Sequence, residues 1–409
     1  MKEEVRKQIY DMLETFREAL DYLAKISKSE NSLSGGTLIE TVAFTRAYIT
    51  NALEEDMRVS LENRIRISKL SDEDWLRTAY RIMGELENPF RIQNAYDAEF
   101  QKLLDYVWTH TEPDLVRTMQ KNLQSMKNNS VQTWNGFVEY FARFPLWGTF
   151  QPQKGDFTTF ELRAQVLKRH SYDFLWLYRR LEDYLSKRTL TAILRNWAFL
   201  DTACPRIIKS IFPDYWEPDI FPDNRDEILV DVGAYVGDSI QRYVNFYGRG
   251  YRKIYAYEIA RDSYEALRKN IQDMGLPNVE ARRKGAGREH TTMFIHANSA
   301  DASANQVQTD GNGEEVEIVR LDEDIEDPVT MIKMDIEGAE QDALWGCSRM
   351  IEKYHPKLAI CTYHGYEDIW KIPVLIDSMY SGYRFYMRHN GGNLIPTEFV
   401  LLCSPPPSV

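Results

Sequence analysis

A chain of 409 residues with a formal net charge of -12 is long enough for two domains, and its acidity excludes a groove built for nucleic-acid phosphates, which needs a basic face. Its 43% hydrophobic and 12% aromatic content supports sizeable buried cores and excludes a disordered chain. The four cysteines, Cys204, Cys347, Cys361 and Cys403, are scattered without a C-x-x-C pair. They signal neither a disulfide framework nor a zinc site, and read as small core residues of a reduced compartment.

The first residues, MKEEVRKQIYDMLETF, are charged and hold no apolar leader core. No uninterrupted apolar segment approaches the ~20 residues of a membrane span, so a cytoplasmic protein without a span is expected. Val5, Ile9, Met12, Phe16, Leu20, Leu23 and Ile26 recur at three- and four-residue steps, predicting a helix that Ser34-Gly35-Gly36 ends. Thr37-x-x-Glu40, Ser71-x-x-Asp74 and Thr158-x-x-Glu161 have the form of capping boxes opening later helices, and Asn88-Pro89 and Pro145-Leu146-Trp147-Gly148 interrupt the run. The stretch Phe174 to Phe199 interleaves Glu182 and Asp183 with its arginines and keeps helical spacing. That pattern favours core packing against a second domain over a membrane or nucleic-acid surface. The expectation is an irregular, mostly α-helical N-terminal domain that shapes an acceptor pocket or makes a homodimer.

From Phe212 to Asn224, FPDYWEPDIFPDN, three prolines force an extended connector. It sets the expected domains: 1–222, helical with the connector, and 223–409. Beyond it strands are predicted at 228–232, 253–258, 278–284, 330–335 and 357–363, with helices from Asp238, Arg261, Gly338 and Glu367. This alternation specifies a doubly wound parallel sheet with helices on both faces. Ala297 to Glu326 reads as an insertion, a lid or solvated loop. The last two runs, Tyr383 to Arg388 and Glu398 to Cys403, are joined by a Gly391-Gly392-Asn393 loop too short for a crossover helix, so they pair antiparallel. A parallel sheet with one antiparallel C-terminal hairpin is the class I methyltransferase arrangement, and an NAD domain would continue with another crossover.

Chemistry concentrates at the strand ends. ILVDVGAYVG, 228–237, is a buried-strand run breaking into a glycine turn, with Asp231 at the strand end and Gly233 and Gly237 leaving room for a ligand. KIYAYE ends in Glu258, placed to accept hydrogen bonds from both ribose hydroxyls of a nucleoside lying across the strand ends. The turn lacks the third glycine of a pyrophosphate loop and puts Asp238 where phosphates would sit. It therefore favours S-adenosyl-L-methionine, with its sulfonium and ammonium groups, over NAD. TMIKMDIEGAEQDALWG, 330–346, gathers Lys333, Asp335 and Glu337 at the carboxyl edge, with Asp335 in reach of the cofactor's amino group or a substrate hydroxyl. PKLAICTYHGYEDIWKIP exposes His364 at the same edge, a group able to take a proton at neutral pH and hence a candidate base.

These segments in order, with the closing YRFYMRHN and TEFVLLC, resemble the FkbM family of AdoMet-dependent methyltransferases over roughly residues 212 to 403. The resemblance implies O-methylation of a hydroxyl on a sugar, glycan or secondary metabolite, a small-molecule or glycan acceptor, and usually no metal; a rival assignment makes Asp335 and Glu337 a Mg²⁺ pair that acidifies the hydroxyl. By it Asp231, Gly233, Tyr235, Gly237 and Glu258 hold the cofactor, joined by the adjacent Ala234, Asp238, Ser239 and Ile259. Gly285 and Ala286 would lie near the adenine, and Asp335, Glu337 and His364 would line the reaction site. An NAD(P)-dependent oxidoreductase and a non-catalytic nucleoside-binding scaffold are the competing readings.

Overall fold

The structure is a computed structural model that describes residue 81 and residues 90–144, 147–222, 225–295, 307–308, 313–392 and 394–406. The helix expected over 5–26, the starts at Thr37 and Ser71, the Asn88-Pro89 break and Asn393 of the hairpin loop lie outside these residues. The chain divides into two compact units, one holding the described residues up to Leu115 with Gln165–Trp176, the other Val116–Ala164 with the chain from Leu177 on.

In the first unit, α1 (Ala95–Thr109) starts at Asn94, whose side chain accepts from the backbone N–H of Tyr96 and Asp97. Phe100, Leu103, Leu104, Val107 and Trp108 bury one helical face. The buried Lys168 ammonium donates to the carbonyls of Val107, Trp108 and His110 at 2.7–2.9 Å, satisfying acceptors that the helix end leaves open.

The second unit is built on a seven-stranded sheet: β1 (Ile228–Val232), β2 (Lys253–Tyr257), β3 (Val279–Arg282), β8 (Met331–Met334), β9 (Lys357–Cys361), β10 (Arg384–His389) and β11 (Phe399–Ser404), ordered β10-β11-β9-β8-β1-β2-β3. β11 runs antiparallel to both β9 and β10, and the pairs among β9, β8, β1, β2 and β3 are parallel. This is the expected doubly wound arrangement with one antiparallel strand. All five residues of β1 are buried, as a strand covered on both faces requires. The register sets Val232 opposite both Tyr257 and Met334, and Met334 opposite Ile360, so four strands end at one edge.

The crossover helices α8 (Asp238–Tyr247), α9 (Arg261–Asp273), α11 (Glu340–Gly346), α12 (Ser348–Tyr354) and α13 (Asp368–Met379) connect these strands. The preceding helices are α2 (Glu112–Asn129), α3 (Val131–Arg143), α4 (Thr158–Arg169), α5 (Ser171–Arg180), α6 (Tyr184–Phe199) and the single turn α7 (Cys204–Ile207). Asp156 rather than Thr158 caps α4, its carboxylate accepting from the Thr158 N–H at 3.0 Å. The Phe174 to Phe199 stretch is two helices: at the break the Glu182 N–H donates to the Phe385 carbonyl, and Asp183 caps α6 by accepting from the Ser186 N–H. α6 lies on β10, where Ser186 Oγ accepts from the Met387 N–H and the buried Arg388 guanidinium reaches Asp183 at 2.7 Å.

The segment after β3 differs from expectation. β4 (Gly285–Ala286), β5 (Thr291–Ile295), β6 (Val307–Gln308) and β7 (Glu314–Val319) form a second sheet ordered β4-β7-β5-β6, and α10 (Leu321–Asp324) follows. Val316, Ile318, Val319, Leu321 and Ile325 are buried, so the described part of the expected insertion is packed structure rather than a solvated loop. The acids around it conceal the alternation of buried and exposed residues that marks a strand, the exposed Glu315 and Glu317 alternating with the buried Val316 and Ile318. Among the described residues no helix is long and apolar enough to cross a membrane. Cys204, Cys347, Cys361 and Cys403 are all free and buried.

Candidate active site

The turn after β1 is held by its own backbone and by a buried ion pair beneath it. Gly233 and Ala234 both donate their N–H to the Tyr257 carbonyl, tying the turn to the end of β2. Gly233, at φ +78°, abuts the end of β8 so closely that a Cβ would fall 1.9 Å from the Asp335 carbonyl oxygen. Asp231 is fully buried: Lys333 Nζ stands 3.0 Å from Oδ1, Ser239 Oγ donates to Oδ2, and the same ammonium donates to the Gly233 carbonyl at 2.8 Å. Burial alone would lower the Lys333 pKa, but the carboxylates of Asp231 and Asp335 outweigh it and keep the ammonium charged. The side chains of Asp231 and Ser239 are thus turned into each other, under the turn. Asp238 opens α8 and pairs with Arg242 one helical turn on, at 3.0 Å.

Glu258 ends β2 in the expected place. Its two oxygens accept from the N–H groups of Tyr235 and Ala260, each at 2.8 Å, which joins the β1 turn to the β2 end. Each carboxylate oxygen keeps a further acceptor site. Ile259 is the neighbour of Gly285, where a Cβ would lie 3.1 Å from Ile259 Cγ2. Tyr235, at φ +47°, is 38% exposed at the rim. The turn, Glu258-Ile259 and Gly285-Ala286 therefore meet at one edge of the sheet.

Asp335, Glu337 and His364 also come together. His364 Nε2 is 3.4 Å from Asp335 Oδ1 and 3.6 Å from Glu337 Oε2, and its Nδ1 is 2.9 Å from Glu340 Oε1. Glu340 is itself buried and accepts from the Ile336 and Gly338 N–H groups, so the DIEGAE segment wraps around one of its own carboxylates. Burial would depress the His364 pKa, but Glu340, Asp335 and Glu337 together raise it to about 10. As the site stands the ring is an imidazolium at neutral pH, with no lone pair to offer as a base. Residue spacing suggests a lone histidine because the three acids converge only in the folded chain. Burial pushes the Glu337 carboxyl up to about 7, whereas Asp335, half-buried and facing His364 and Lys333, is held below the usual carboxylate range.

Sequence spacing misses three contributors. Tyr215, from the proline-rich connector, donates its hydroxyl to Asp335 Oδ2 at 2.7 Å. Tyr363 donates to Glu398 Oε2 at 3.0 Å and approaches Asp335 Oδ1 at 3.4 Å, while the Trp147 indole N–H fixes the Tyr363 carbonyl at 3.0 Å. Glu398, entering β11 at φ +54°, has its carboxyl raised by burial to about 7. Tyr363 sits beside His364 in its own run, while Tyr215 and Glu398 reach the cluster from segments distant in sequence. One ligand atom from each of Asp335, Glu337 and His364 lies within 4.8 Å of the others, a spacing able to hold a metal ion.

Residues 231–392 match the model of the family described as the methyltransferase FkbM domain. Among solved structures, methyltransferase FkbM from Methylobacillus flagellatus KT is 22% identical, with 59% of this chain and 61% of that chain covered and a TM-score of 0.49. This chain thus spans less than two thirds of that protein. A SAM dependent methyltransferase from Aquifex aeolicus is 12% identical over 54% of this chain and 97% of that chain, with a TM-score of 0.28. Aeropyrum pernix fibrillarin, in complex with natively bound S-adenosyl-L-methionine, is 10% identical over 44% and 67%, with a TM-score of 0.29. No curated protein matches the sequence.

Proposed function

We propose, from the premise that residues 231–392 are a methyltransferase FkbM domain, that the chain is an S-adenosyl-L-methionine-dependent O-methyltransferase acting on a hydroxyl of a sugar, glycan or secondary metabolite. The observation that carries this reading is the abutment of Gly233 on Asp335, which sets the turn expected to hold the nucleoside against the acid cluster expected to hold the acceptor. In this reading Glu258 accepts the ribose hydroxyls with its remaining lone pairs. Gly233, Ala234, Tyr235, Gly237 and Asp238 frame the methionine end, and Ile259, Gly285 and Ala286 flank the adenine. Asp231 and Ser239 act from below, by holding the turn through Lys333.

Methyl transfer from a sulfonium is an in-line displacement, and the protein supplies position and dryness. The acceptor hydroxyl must also lose a proton, a transfer worth ~10²- to 10⁴-fold when a group is placed for it. Glu337 and Glu398, both near 7, are matched to receive that proton at neutral pH. His364, charged and pinned by Glu340, orients the acceptor oxygen and offsets the negative charge developing there. Residues 223–409 constitute the catalytic domain of this proposal, and residues 1–222 a helical addition that shapes the acceptor pocket or makes a dimer.

The test is incubation of the full chain with methyl-labelled S-adenosyl-L-methionine and fractionated cell extract, with mass analysis of the product. A labelled methyl ether supports the proposal. Binding of NAD in place of S-adenosylhomocysteine, measured by calorimetry, would sink it.

A further inference from the structure

Nε2 of His364 is the odd group in the cluster. The ring is buried, Nε2 faces Asp335 Oδ1 at 3.4 Å and Glu337 Oε2 at 3.6 Å, and it makes no hydrogen bond. Nδ1 likewise makes no well-aligned hydrogen bond, but it lies 2.9 Å from Glu340 Oε1, and Glu340 is anchored by two backbone N–H groups. A histidine whose Nδ1 meets a fixed carboxylate and whose Nε2 is aimed at two further carboxylates has the arrangement of a metal ligand with its supporting outer carboxylate. Adjacent ligands around a six-coordinate divalent ion with bonds near ~2.1 Å stand about 3 Å apart. The separations of Nε2 from its two carboxylate partners, 3.4 and 3.6 Å, approach that spacing, and all three ligand atoms lie within 4.8 Å of one another. Charge points the same way. Asp335, Glu337, Glu340 and Glu398 surround one imidazole, and the nearby Lys333 is already paired with Asp231.

We infer that Asp335, Glu337 and Nε2 of His364 form a binding site for a divalent first-row metal ion at the carboxyl ends of β8 and β9. One imidazole with two carboxylates suits a Mn²⁺-like ion better than Ca²⁺, which prefers oxygen throughout, or a structural Zn²⁺, which favours thiolates and imidazoles. The Nε2 proton leaves for solvent as the ion binds. Binding does not depend on the proposed reaction. The ion's role does rest on that reading: an acceptor hydroxyl coordinated beside the sulfonium would be acidified, and Glu398, outside the ligand set, would take its proton.

The full chain, stripped with chelator, is titrated with Mn²⁺ while electron paramagnetic resonance follows the free ion, and S-adenosylhomocysteine binding is measured separately by calorimetry. The expected result is one Mn²⁺ per chain. Glu340→Gln should weaken it about 10- to 100-fold by releasing the ring, and Asp335→Asn by more. Retained S-adenosylhomocysteine binding shows that a variant is folded, and His364→Gln replaces Asp335→Asn should the latter fail that check. Wild-type binding no tighter than that of the ligand variants overturns the inference. So does Mn²⁺ released on adding S-adenosylhomocysteine, because the carboxylates would then serve the cofactor's ammonium group. Failure of S-adenosylhomocysteine to bind the wild type, with Mn²⁺ retained, instead removes the nucleoside reading and leaves the metal site standing.

Discussion

Gly233 stands so close to the end of β8 that a side chain there would place its Cβ 1.9 Å from the Asp335 carbonyl oxygen. The obstacle is backbone, so it cannot swing aside as a side-chain tip would. Gly233→Ala, which also pays for its φ of +78°, should destabilise the fold by about 3 kcal/mol or more and abolish S-adenosylhomocysteine binding. Urea unfolding and calorimetry check the two effects; a variant with wild-type stability would show that the turn does not press on Asp335.

Glu258→Ala removes the acceptor for the Tyr235 and Ala260 N–H groups together with the proposed ribose contact. Hydrogen bonds to a charged group contribute about 1.5–3 kcal/mol, so affinity for S-adenosylhomocysteine should fall roughly 10- to 100-fold. Unchanged affinity by calorimetry would move the ribose elsewhere.

Lys333→Met leaves the fully buried Asp231 carboxylate with Ser239 as its remaining partner. Breaking a buried pair on one side costs about 3–5 kcal/mol, and that loss is expected in urea unfolding. The double variant Asp231→Leu with Lys333→Met should recover much of it, because no unpaired charge remains. A double variant as unstable as the single would refute this account.

The acceptor's proton needs an ionised carboxylate. If Glu398, near 7, receives it, turnover should fall about tenfold per unit as the pH drops below 7, and Glu398→Gln should flatten that limb while lowering the rate about a hundredfold. A pH profile of kcat unchanged in Glu398→Gln would return the role to Glu337.

His389 gives a stability prediction away from the site. Burial, with help from Lys209, lowers its pKa from 6.5 to about 4, so the folded state holds the ring neutral. The folded pKa lies below the unfolded one. The contribution is therefore complete above about 6.5 and is lost as the pH falls toward 4, by about 3 kcal/mol in all. His389→Leu should be less sensitive to acid between pH 6.5 and 4 in urea unfolding, and equal sensitivity would refute the assignment.

The sequence by itself determined the sheet and the rim of the site. β1 is legible at 228–232 because a strand buried on both faces must be apolar throughout, and its turn because only glycine accepts φ near +80° beside another strand's backbone. Glu258 and the Asp335, Glu337, His364 set are likewise readable, since each ends a strand and strand ends converge. Only the tertiary structure decided what these groups are. His364 changes from a lone ring titrating at neutral pH to an imidazolium near 10, because Glu340 folds back under it and Asp335 and Glu337 face it. Tyr215 and Glu398 join the cluster from the connector and the last hairpin, segments that no local pattern links to it. Periodicity reports which way a residue faces along its own element. Charge state depends on neighbours brought from other elements, and that information is created when the chain packs.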